Sequence, residues 1–427
     1  MNTLLLLSAC STLCLSQAPE QTLQTPAELR IQQALAAIER APDRVQNFCD
    51  LALGFARRAR ETADPSFYER GEKALKVAMA LDPTDLAAKK ARAWILLGEH
   101  RFEEARVLAA ELNAQIPDDV LVYGFLADAC TELGDYEAAE SAVQWMLDLR
   151  PGNVPALTRA AYLRELFGDI EGALELFVDA YHRTDPVEVE DRAWILTQLG
   201  HLELARGKTA EAEKLLEQAL ALFPDYHYAL AKLAEACSEQ GDLVRATELL
   251  RRRHELAPHP ENLFDLAVVL ERAGRADEAR QLFRRFEREA LAESQGPDNA
   301  NRELVAYYTE FSDDPAAETK ALALAQRERE RRADVHTREC LAAALLSNGQ
   351  PAQARKEIEA GLAVGVREAR MLARAGSITA ACGDFSAARE YLAEAQGLRP
   401  RLACVTRSAE ALERLESSAD SPDAPAR

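Results

Sequence analysis

The chain has 427 residues, of which 48% are hydrophobic, 29% are charged and only 6% are aromatic. This composition suits stacked amphipathic helices and is poor for large β-sheets, so an all-α fold is expected. The formal net charge is −20, from 51 lysines and arginines against 71 aspartates and glutamates. Such a balance repels phosphate backbones and anionic membrane surfaces, and it argues against nucleic-acid binding.

The first residues resemble an export signal. Residues 4–15 are an apolar run of suitable length, and Ser16-Gln17-Ala18 fits a small-x-small cleavage site, although no Lys or Arg precedes the run. We therefore predict a signal peptide over 1–18; Leu7 to Cys10 also resembles a bacterial lipobox, with Cys10 as the lipidated residue. The run is too short to cross a bilayer, and no transmembrane segment is expected. The predicted location is exported, periplasmic or envelope-associated, with the cytoplasm as the alternative.

A helix over 27–43 is expected to cap a repetitive region that extends from 44 to 402. There the same residue types recur about every 34 residues. Gly at position 15 can end a first helix in a left-handed backbone conformation, and the Asp that often follows can cap a second helix. Small residues at positions 8 and 20 allow the two helices to approach closely. One well-formed unit, 120–153, carries these landmarks at Tyr123, Leu126, Ala127, Gly134, Tyr136, Ala139, Val143, Met146 and Pro151.

This pattern resembles the tetratricopeptide repeat. The resemblance implies a right-handed α-solenoid, a superhelix of tandem helical hairpins, with about ten units between 44 and 402. Two units, 44–85 and 298–334, are degenerate. The regular units are 86–119, 120–153, 154–187, 193–226, 227–260, 260–293, 335–368 and 369–402.

Several irregularities interrupt the period. A long loop is expected around 64–66, and the insertion at 188–192 is expected to lengthen a junction and bend the superhelix. A helix over 403–416 is predicted to close the array, with Arg407, Glu410 and Arg414 on a polar outer face. The Ser/Asp/Pro/Ala-rich residues 417–427 are predicted to be a disordered tail.

No motif for chemistry is present in the sequence. The glycine-rich phosphate loops and nucleophile motifs are absent, and the repeats occupy nearly all of 44–402. The cysteines lack the spacing of a metal site, and those inside first helices are expected to be buried free thiols: Cys130, Cys237, Cys340 and Cys382. We therefore predict no catalytic residue, no metal, no cofactor and no enzymatic activity.

The resemblance also implies that the first helix of each unit lines a concave groove. Positions 2 and 9 then supply a row of aromatic, acidic and histidine side chains as partner-binding candidates: Trp94, Asp128, Tyr162, Trp194, His201, Tyr228 and Glu235. Large aromatic residues on a groove are typical anchors of binding energy, and Asp128 and Glu235 would favour a basic ligand. Alternatively, each aromatic residue packs against the next repeat. Family members that grip a C-terminal carboxylate use Asn near position 9, where this chain has Trp94, Asp128 and Tyr162, so that clamp is not expected.

The leading hypothesis is a non-enzymatic scaffold that holds a protein or peptide in the groove, in the bacterial envelope or exported space. The segment 301–308 resembles segments of extracytoplasmic bacterial repeat proteins and agrees with that location. Two alternatives remain: a solenoid that binds a solute or glycan through the aromatic groove, and a substrate-recruiting subunit of an enzyme encoded separately.

Overall fold

A computed structural model describes residues 24–419, and over this range the regular structure is entirely α-helical. The predicted signal peptide, Cys10 and residues 420–427 lie outside the described residues. The helices, in chain order, are α1 (Pro26–Arg40), α2 (Val45–Thr62), α3 (Ser66–Leu81), α4 (Leu86–Gly98), α5 (Phe102–Gln115), α6 (Val120–Glu132), α7 (Tyr136–Leu149), α8 (Val154–Leu166), α9 (Ile170–Arg183), α10 (Val189–Ala205), α11 (Thr209–Leu222), α12 (His227–Gln240), α13 (Leu243–Leu256), α14 (Pro260–Arg272), α15 (Ala276–Glu293), α16 (Asn301–Glu310), α17 (Ala317–Arg331), α18 (Val335–Ser347), α19 (Pro351–Leu362), α20 (Ala369–Ala381), α21 (Phe385–Leu398) and α22 (Ala403–Ala419).

Helices α2 to α21 form ten consecutive hairpins, and the all-α solenoid predicted from the repeat is confirmed. The turns inside the hairpins have the expected local chemistry. Gly134 and Gly168 end their helices with φ of 77° and 83°, a backbone region in which a Cβ is unfavourable. The aspartates that follow, Asp135 and Asp169, then accept hydrogen bonds from the first-turn amides of α7 and α9.

Two predicted irregularities are wrong. The loop around 64–66 is short: α2 ends at Thr62 and α3 begins at Ser66, because the extra residues of this unit extend its helices instead. The insertion at 188–192 does not lengthen a junction. Residues from Val189 onward form an additional first turn of α10, which has 17 residues.

The array is closed by one helix at each end. At the N-terminal end, Thr25 and Glu28 form a reciprocal capping box on α1. At the C-terminal end, α22 packs against α20 and α21 and continues to Ala419, three residues into the predicted tail. Arg407 is not on an outer face as predicted, because it turns inward to pair with Glu310.

The prediction of buried thiols is confirmed for three cysteines and wrong for one. Cys130, Cys237 and Cys340 are buried among apolar side chains. Cys382 is exposed, because α20 ends at Ala381 and Cys382 is its C-terminal capping residue.

Successive turns of the superhelix are in direct contact. The N–H of Ala333 donates to the carbonyl of Glu132 at 3.3 Å, and a Cβ placed on Gly168 would lie 2.6 Å from the carbonyl oxygen of Gly365. Contacting positions are separated by nearly 200 residues, which corresponds to about six units of 34 residues. The superhelix is therefore tightly wound, and its ten hairpins make less than two full turns around a common lumen.

Helix α2, in the first turn of the superhelix, is also in contact with the starts of α12 and α14. The Nε2 atom of His227 lies 3.0 Å from the carbonyl oxygen of Arg60, and His259 contacts the carbonyl of Ala63. Burial lowers the pKa of His227 to about 4, against the raising effect of that carbonyl, so its ring is neutral near pH 7. The residues of the 188–192 insertion contact α2 as well: Glu188 accepts from Arg57 at 2.6 Å.

Candidate ligand-binding lumen

The lumen contains two cavities, which we name cavity I and cavity II. Cavity I has a volume of about 460 Å³ and is bounded by α2, α4, α6 and α8 on one side and by α16 and the end of α17 on the other. Cavity II has a volume of about 400 Å³ and lies among α10, α12, α14, α16, α20 and α22. Both volumes are in the range of pockets that hold small ligands or a few side chains.

Cavity I contains three of the predicted groove residues. Trp94 is 40% exposed and packs edge-to-face on Phe125, with ring centroids 6.2 Å apart. Tyr162 is 36% exposed, and burial within the lumen, together with the nearby carboxylates of Glu132 and Glu165, raises its pKa well above the usual value. The Arg159 guanidinium donates two hydrogen bonds to the Asp128 carboxylate, from Nε to Oδ1 at 2.7 Å and from Nη2 to Oδ2 at 2.5 Å.

The opposite wall of cavity I is basic. Arg302 reaches the cavity from α16, and its Nη1 is 3.7 Å from Asp334. Arg332 is 3.6 Å from Glu132 and lies over the ring of Phe102. The cavity is thus lined by four arginines and two carboxylates: Arg60, Arg159, Arg302, Arg332, Asp128 and Glu132.

Cavity II contains three further groove residues. The Nε2 of His201 is 2.7 Å from Glu165, and although burial raises the pKa of Glu165, His201 holds it below the usual value. Glu235 is bound by Lys232 at 3.1 Å and by Arg399 from the far end of the array. These cations outweigh the effect of burial and hold the pKa of Glu235 well below its usual value. Tyr228 is 40% exposed toward the cavity.

Trp194 differs from the other six candidates. It lines neither cavity, and its ring packs edge-to-face on Phe177 with centroids 5.9 Å apart. It belongs to the apolar cluster between α9 and α10. Trp194 therefore packs against the neighbouring repeat, as the alternative interpretation of the aromatic residues describes.

The predicted preference for a basic ligand assumes that Asp128 and Glu235 are free to bind it. Asp128 and Glu235 are each already paired with an arginine, so neither carboxylate offers an unpaired negative charge. Among the residues that line cavity II, cations outnumber carboxylates by six to four: Lys232, Arg253, Arg272, Arg370, Arg399 and Arg407 against Glu235, Glu239, Asp265 and Glu310. The lumen is therefore relatively basic in a chain whose net charge is −20.

The lumen arginines contributed by the later repeats were missed from the sequence. Arg302 and Arg399 face repeats that lie several units before them only because the superhelix winds back, and a repeat pattern does not contain that rotation. Arg370 could have been found, because it occupies position 2 of the unit 369–402, the position that identified Tyr228. Among residues 24–419, no group of three or more His, Cys, Asp or Glu side chains is arranged to hold a metal ion.

Two family models described as tetratricopeptide repeat match this chain, one over residues 203–261 and the other over 90–154 and 246–300. Together with the ten hairpins, these matches show that the chain is a tetratricopeptide repeat protein.

The chain is also similar to cellulose synthase operon protein C of Xanthomonas axonopodis pv. citri (strain 306), with 31% identity over 211 residues. This match covers 47% of the chain but only 13% of that relative, so the chain spans a small part of its length.

Solved structures are also similar to this chain, at low sequence identity. The human IFIT1 dimer with PPP-AAAA has a TM-score of 0.50 and 14% identity, over 86% of this chain and 87% of that one. PilW, a widely conserved type IV pilus biogenesis factor, has a TM-score of 0.41 and 16% identity, over 47% of this chain and 90% of that one. None of the helices between residues 24 and 419 has both the length and the hydropathy that crossing a membrane requires.

Proposed function

We propose that this protein is a non-enzymatic scaffold that holds a segment of a partner protein inside its lumen. The observation that carries the proposal is the exposure of large aromatic side chains on the inner wall. Trp94, Tyr162 and Tyr228 retain 36–40% of their accessible surface beside the two cavities. Aromatic side chains that are rigid and accessible in a concave site are effective anchors for a ligand.

We place this scaffold in the bacterial envelope or exported space. Support comes from the apolar run at 4–15 and from the similarity to cellulose synthase operon protein C. The name of that relative also suits the alternative that the chain recruits substrate for an enzyme encoded separately. Cell fractionation of the wild-type chain and a Cys10→Ser variant tests the location: recovery of both from the cytosol alone would contradict it.

The partner-holding role is tested by removing lumen aromatics and comparing an aromatic residue outside the cavities. In a Trp94→Ala/Tyr162→Ala variant we expect loss of the partners that wild-type protein captures by in-cell crosslinking and mass spectrometry. Trp145→Ala is the matched control, because Trp145 is 53% exposed on α7 and lines neither cavity. Equal capture by the double variant and the control would contradict the proposal.

A second candidate function is binding of a glycan or another solute. The observation that favours it is the presence of Trp94 and Tyr162 in one cavity, because exposed aromatic rings can also stack on sugar rings. A thermal-shift panel of oligosaccharides and peptides separates the two functions. Stabilisation by an oligosaccharide that is lost in Trp94→Ala/Tyr162→Ala, without stabilisation by any peptide, would favour this second function.

A further inference from the structure

Cavity II contains an arginine without a partner. Arg370 is exposed into the cavity from the first turn of α20, and it makes no hydrogen bond or ion pair among the described residues. Burial lowers the pKa of Arg370, but Cys404 and the carboxylates of Glu339, Glu310 and Glu235 raise it above the usual value. None of these carboxylates lies within ion-pair distance of Arg370, and each is paired with another cation. Glu310 is bound by Arg374 and Arg407, and Glu339 lies 3.6 Å from Arg374. The Arg370 guanidinium thus keeps its donors available to a ligand.

A second cation in the cavity lacks a carboxylate as well. Arg272 donates to the hydroxyl and carbonyl oxygens of Ser238 and to the carbonyl of Arg401, but it forms no ion pair. Burial lowers its pKa, Glu239 opposes this effect, and Arg399 and Arg407 lower the pKa further. An incoming anion would relieve the repulsion among these cations.

Apolar side chains form the rest of the same cavity. Phe264 and Phe311 meet edge-to-face with ring centroids 5.9 Å apart, and Val268 lies beside them on α14. A guanidinium matches a carboxylate through two parallel hydrogen bonds, whereas the aromatic wall suits an apolar side chain. The cavity thus presents two guanidinium groups that have no ion pair and an apolar surface within about 400 Å³.

We propose that cavity II recognises a peptide segment of the partner that carries a carboxylate beside a large apolar side chain, with Arg370 and Arg272 receiving the carboxylate. This assignment rests on the proposed scaffold function and specifies its ligand. A single carboxylate fits better than a polyphosphate, because six cations against four carboxylates leave the wall with an excess of only two positive charges. The net charge of −20 also opposes a nucleic-acid strand.

The test begins with selection of a display library of random twelve-residue peptides on the full chain. We expect the enriched sequences to share Asp or Glu next to an aromatic or large aliphatic residue. The strongest peptide and its twin with Gln or Asn in place of the acid are then measured by fluorescence anisotropy. The proteins compared are wild type, Arg370→Gln, Arg272→Gln and Arg284→Gln, the last being exposed on α15 and outside both cavities.

The expected result is a loss of affinity of at least tenfold in Arg370→Gln and in Arg272→Gln, with less than twofold change in Arg284→Gln. The peptide with Gln or Asn in place of the acid should bind wild type at least tenfold more weakly than the acidic peptide. Its affinity for Arg370→Gln should be little lower than its affinity for wild type, because the missing carboxylate and the missing guanidinium belong to one interaction. Arg370→Gln breaks no bond among the described residues, so it serves as the variant whose folding is preserved, checked by circular dichroism.

Three outcomes would overturn the assignment: enrichment without carboxylates, an empty selection, or tighter binding of a single-stranded RNA oligonucleotide than of the peptide. Failure of the assignment can be separated from failure of the scaffold function. If the selected peptide loses affinity in Trp94→Ala/Tyr162→Ala but not in Arg370→Gln, the scaffold function stands and the ligand assignment falls. If in-cell crosslinking also captures no partner that is lost in Trp94→Ala/Tyr162→Ala, both the scaffold function and the ligand assignment are contradicted.

Discussion

The hydroxyl oxygen of Tyr136 accepts a hydrogen bond of 2.9 Å from the backbone N–H of Val335, although 199 positions separate the two residues. Tyr136 is the aromatic landmark at position 17 of its own repeat, and Val335 begins α18 one superhelical turn later. A residue typical of the hairpin turn thus also joins successive turns of the superhelix. The enclosed lumen depends on contacts of this kind.

Removing that hydroxyl tests how much one inter-turn hydrogen bond contributes. In Tyr136→Phe the buried N–H of Val335 loses its acceptor, which we expect to lower the free energy of unfolding by about 1–3 kcal/mol. The urea midpoint followed by circular dichroism measures the effect. Tyr391→Phe is the control, because the Tyr391 hydroxyl has no hydrogen-bond partner among the described residues. An equal midpoint for the two variants would show that the Tyr136 bond contributes nothing measurable.

A pair of turn glycines separates backbone strain from inter-turn contact. Gly168 and Gly383 both have φ of 83°, but a Cβ on Gly168 would lie 2.6 Å from the Gly365 carbonyl oxygen, whereas nothing lies within 4 Å of one on Gly383. We expect Gly383→Ala to lower stability by about 1–2 kcal/mol through the left-handed backbone alone. Gly168→Ala should cost more, because the next superhelical turn must also move.

Thermal and urea unfolding of the two glycine variants measure this difference directly. Hydrogen exchange adds a local readout, because displacement of the Gly365 loop should speed exchange there in Gly168→Ala only. The same loss of stability in both alanine variants, with unchanged exchange around residue 365, would mean that the contact between turns is not tight in solution.

A buried ion pair joins the first hairpin to the insertion that extends α10. Arg60 pairs with Glu190, which is fully buried and also accepts a hydrogen bond of 2.7 Å from the Tyr226 hydroxyl. Replacing Arg60 by Met leaves a buried carboxylate without its cation, and we expect a loss of about 3–5 kcal/mol. The double variant Arg60→Met/Glu190→Gln should recover much of that loss, since Gln can still accept from Tyr226.

Urea unfolding of the two single variants and the double variant gives the coupling energy between Arg60 and Glu190. Arg252→Met provides a comparison, because the pair between Arg252 and Asp225 is about half exposed and should contribute less than about 1 kcal/mol. Additive effects of Arg60→Met and Glu190→Gln would contradict the direct interaction.

The sequence predicted the features that are set within a single repeat, such as the hairpin turns and the inner-wall positions. It did not predict the contacts between repeats that are distant in the chain. Glycine and aspartate landmarks placed the hairpin turns correctly because their effect is local, as at Gly134 and Asp135. The positional rule identified Tyr162 and His201 as inner-wall residues because each first helix repeats the same orientation. The expectation that Glu235 is free to bind a ligand did not foresee Arg399, which reaches Glu235 only through rotation accumulated over the intervening repeats.

The carboxyl group of Glu261 is predicted to make stability depend on pH near neutrality. Burial, together with the neighbouring Glu303 carboxylate, raises the pKa of Glu261 to about 7, against the opposing effect of Arg253. The folded state therefore retains a proton that the unfolded chain loses near pH 4.5, so this group lowers stability progressively as pH rises from about 4.5 to 7. Glu261→Gln removes the charge, and we expect it to be more stable than wild type by about 2 kcal/mol at pH 8 and nearly equal at pH 4.5.

Urea midpoints measured between pH 4.5 and 8 for wild type, Glu261→Gln and Glu271→Gln test this dependence. Glu271 is an exposed residue of the same helix, α14, and its variant should follow the wild-type profile. The diagnostic quantity is the difference between Glu261→Gln and wild type, which should grow with pH and level off above about 7, because the carboxyl is then ionised in both the folded and the unfolded state. A difference that stays constant with pH would mean that Glu261 titrates as it does in the unfolded chain and that the Glu303 carboxylate is too distant or too solvated to affect it.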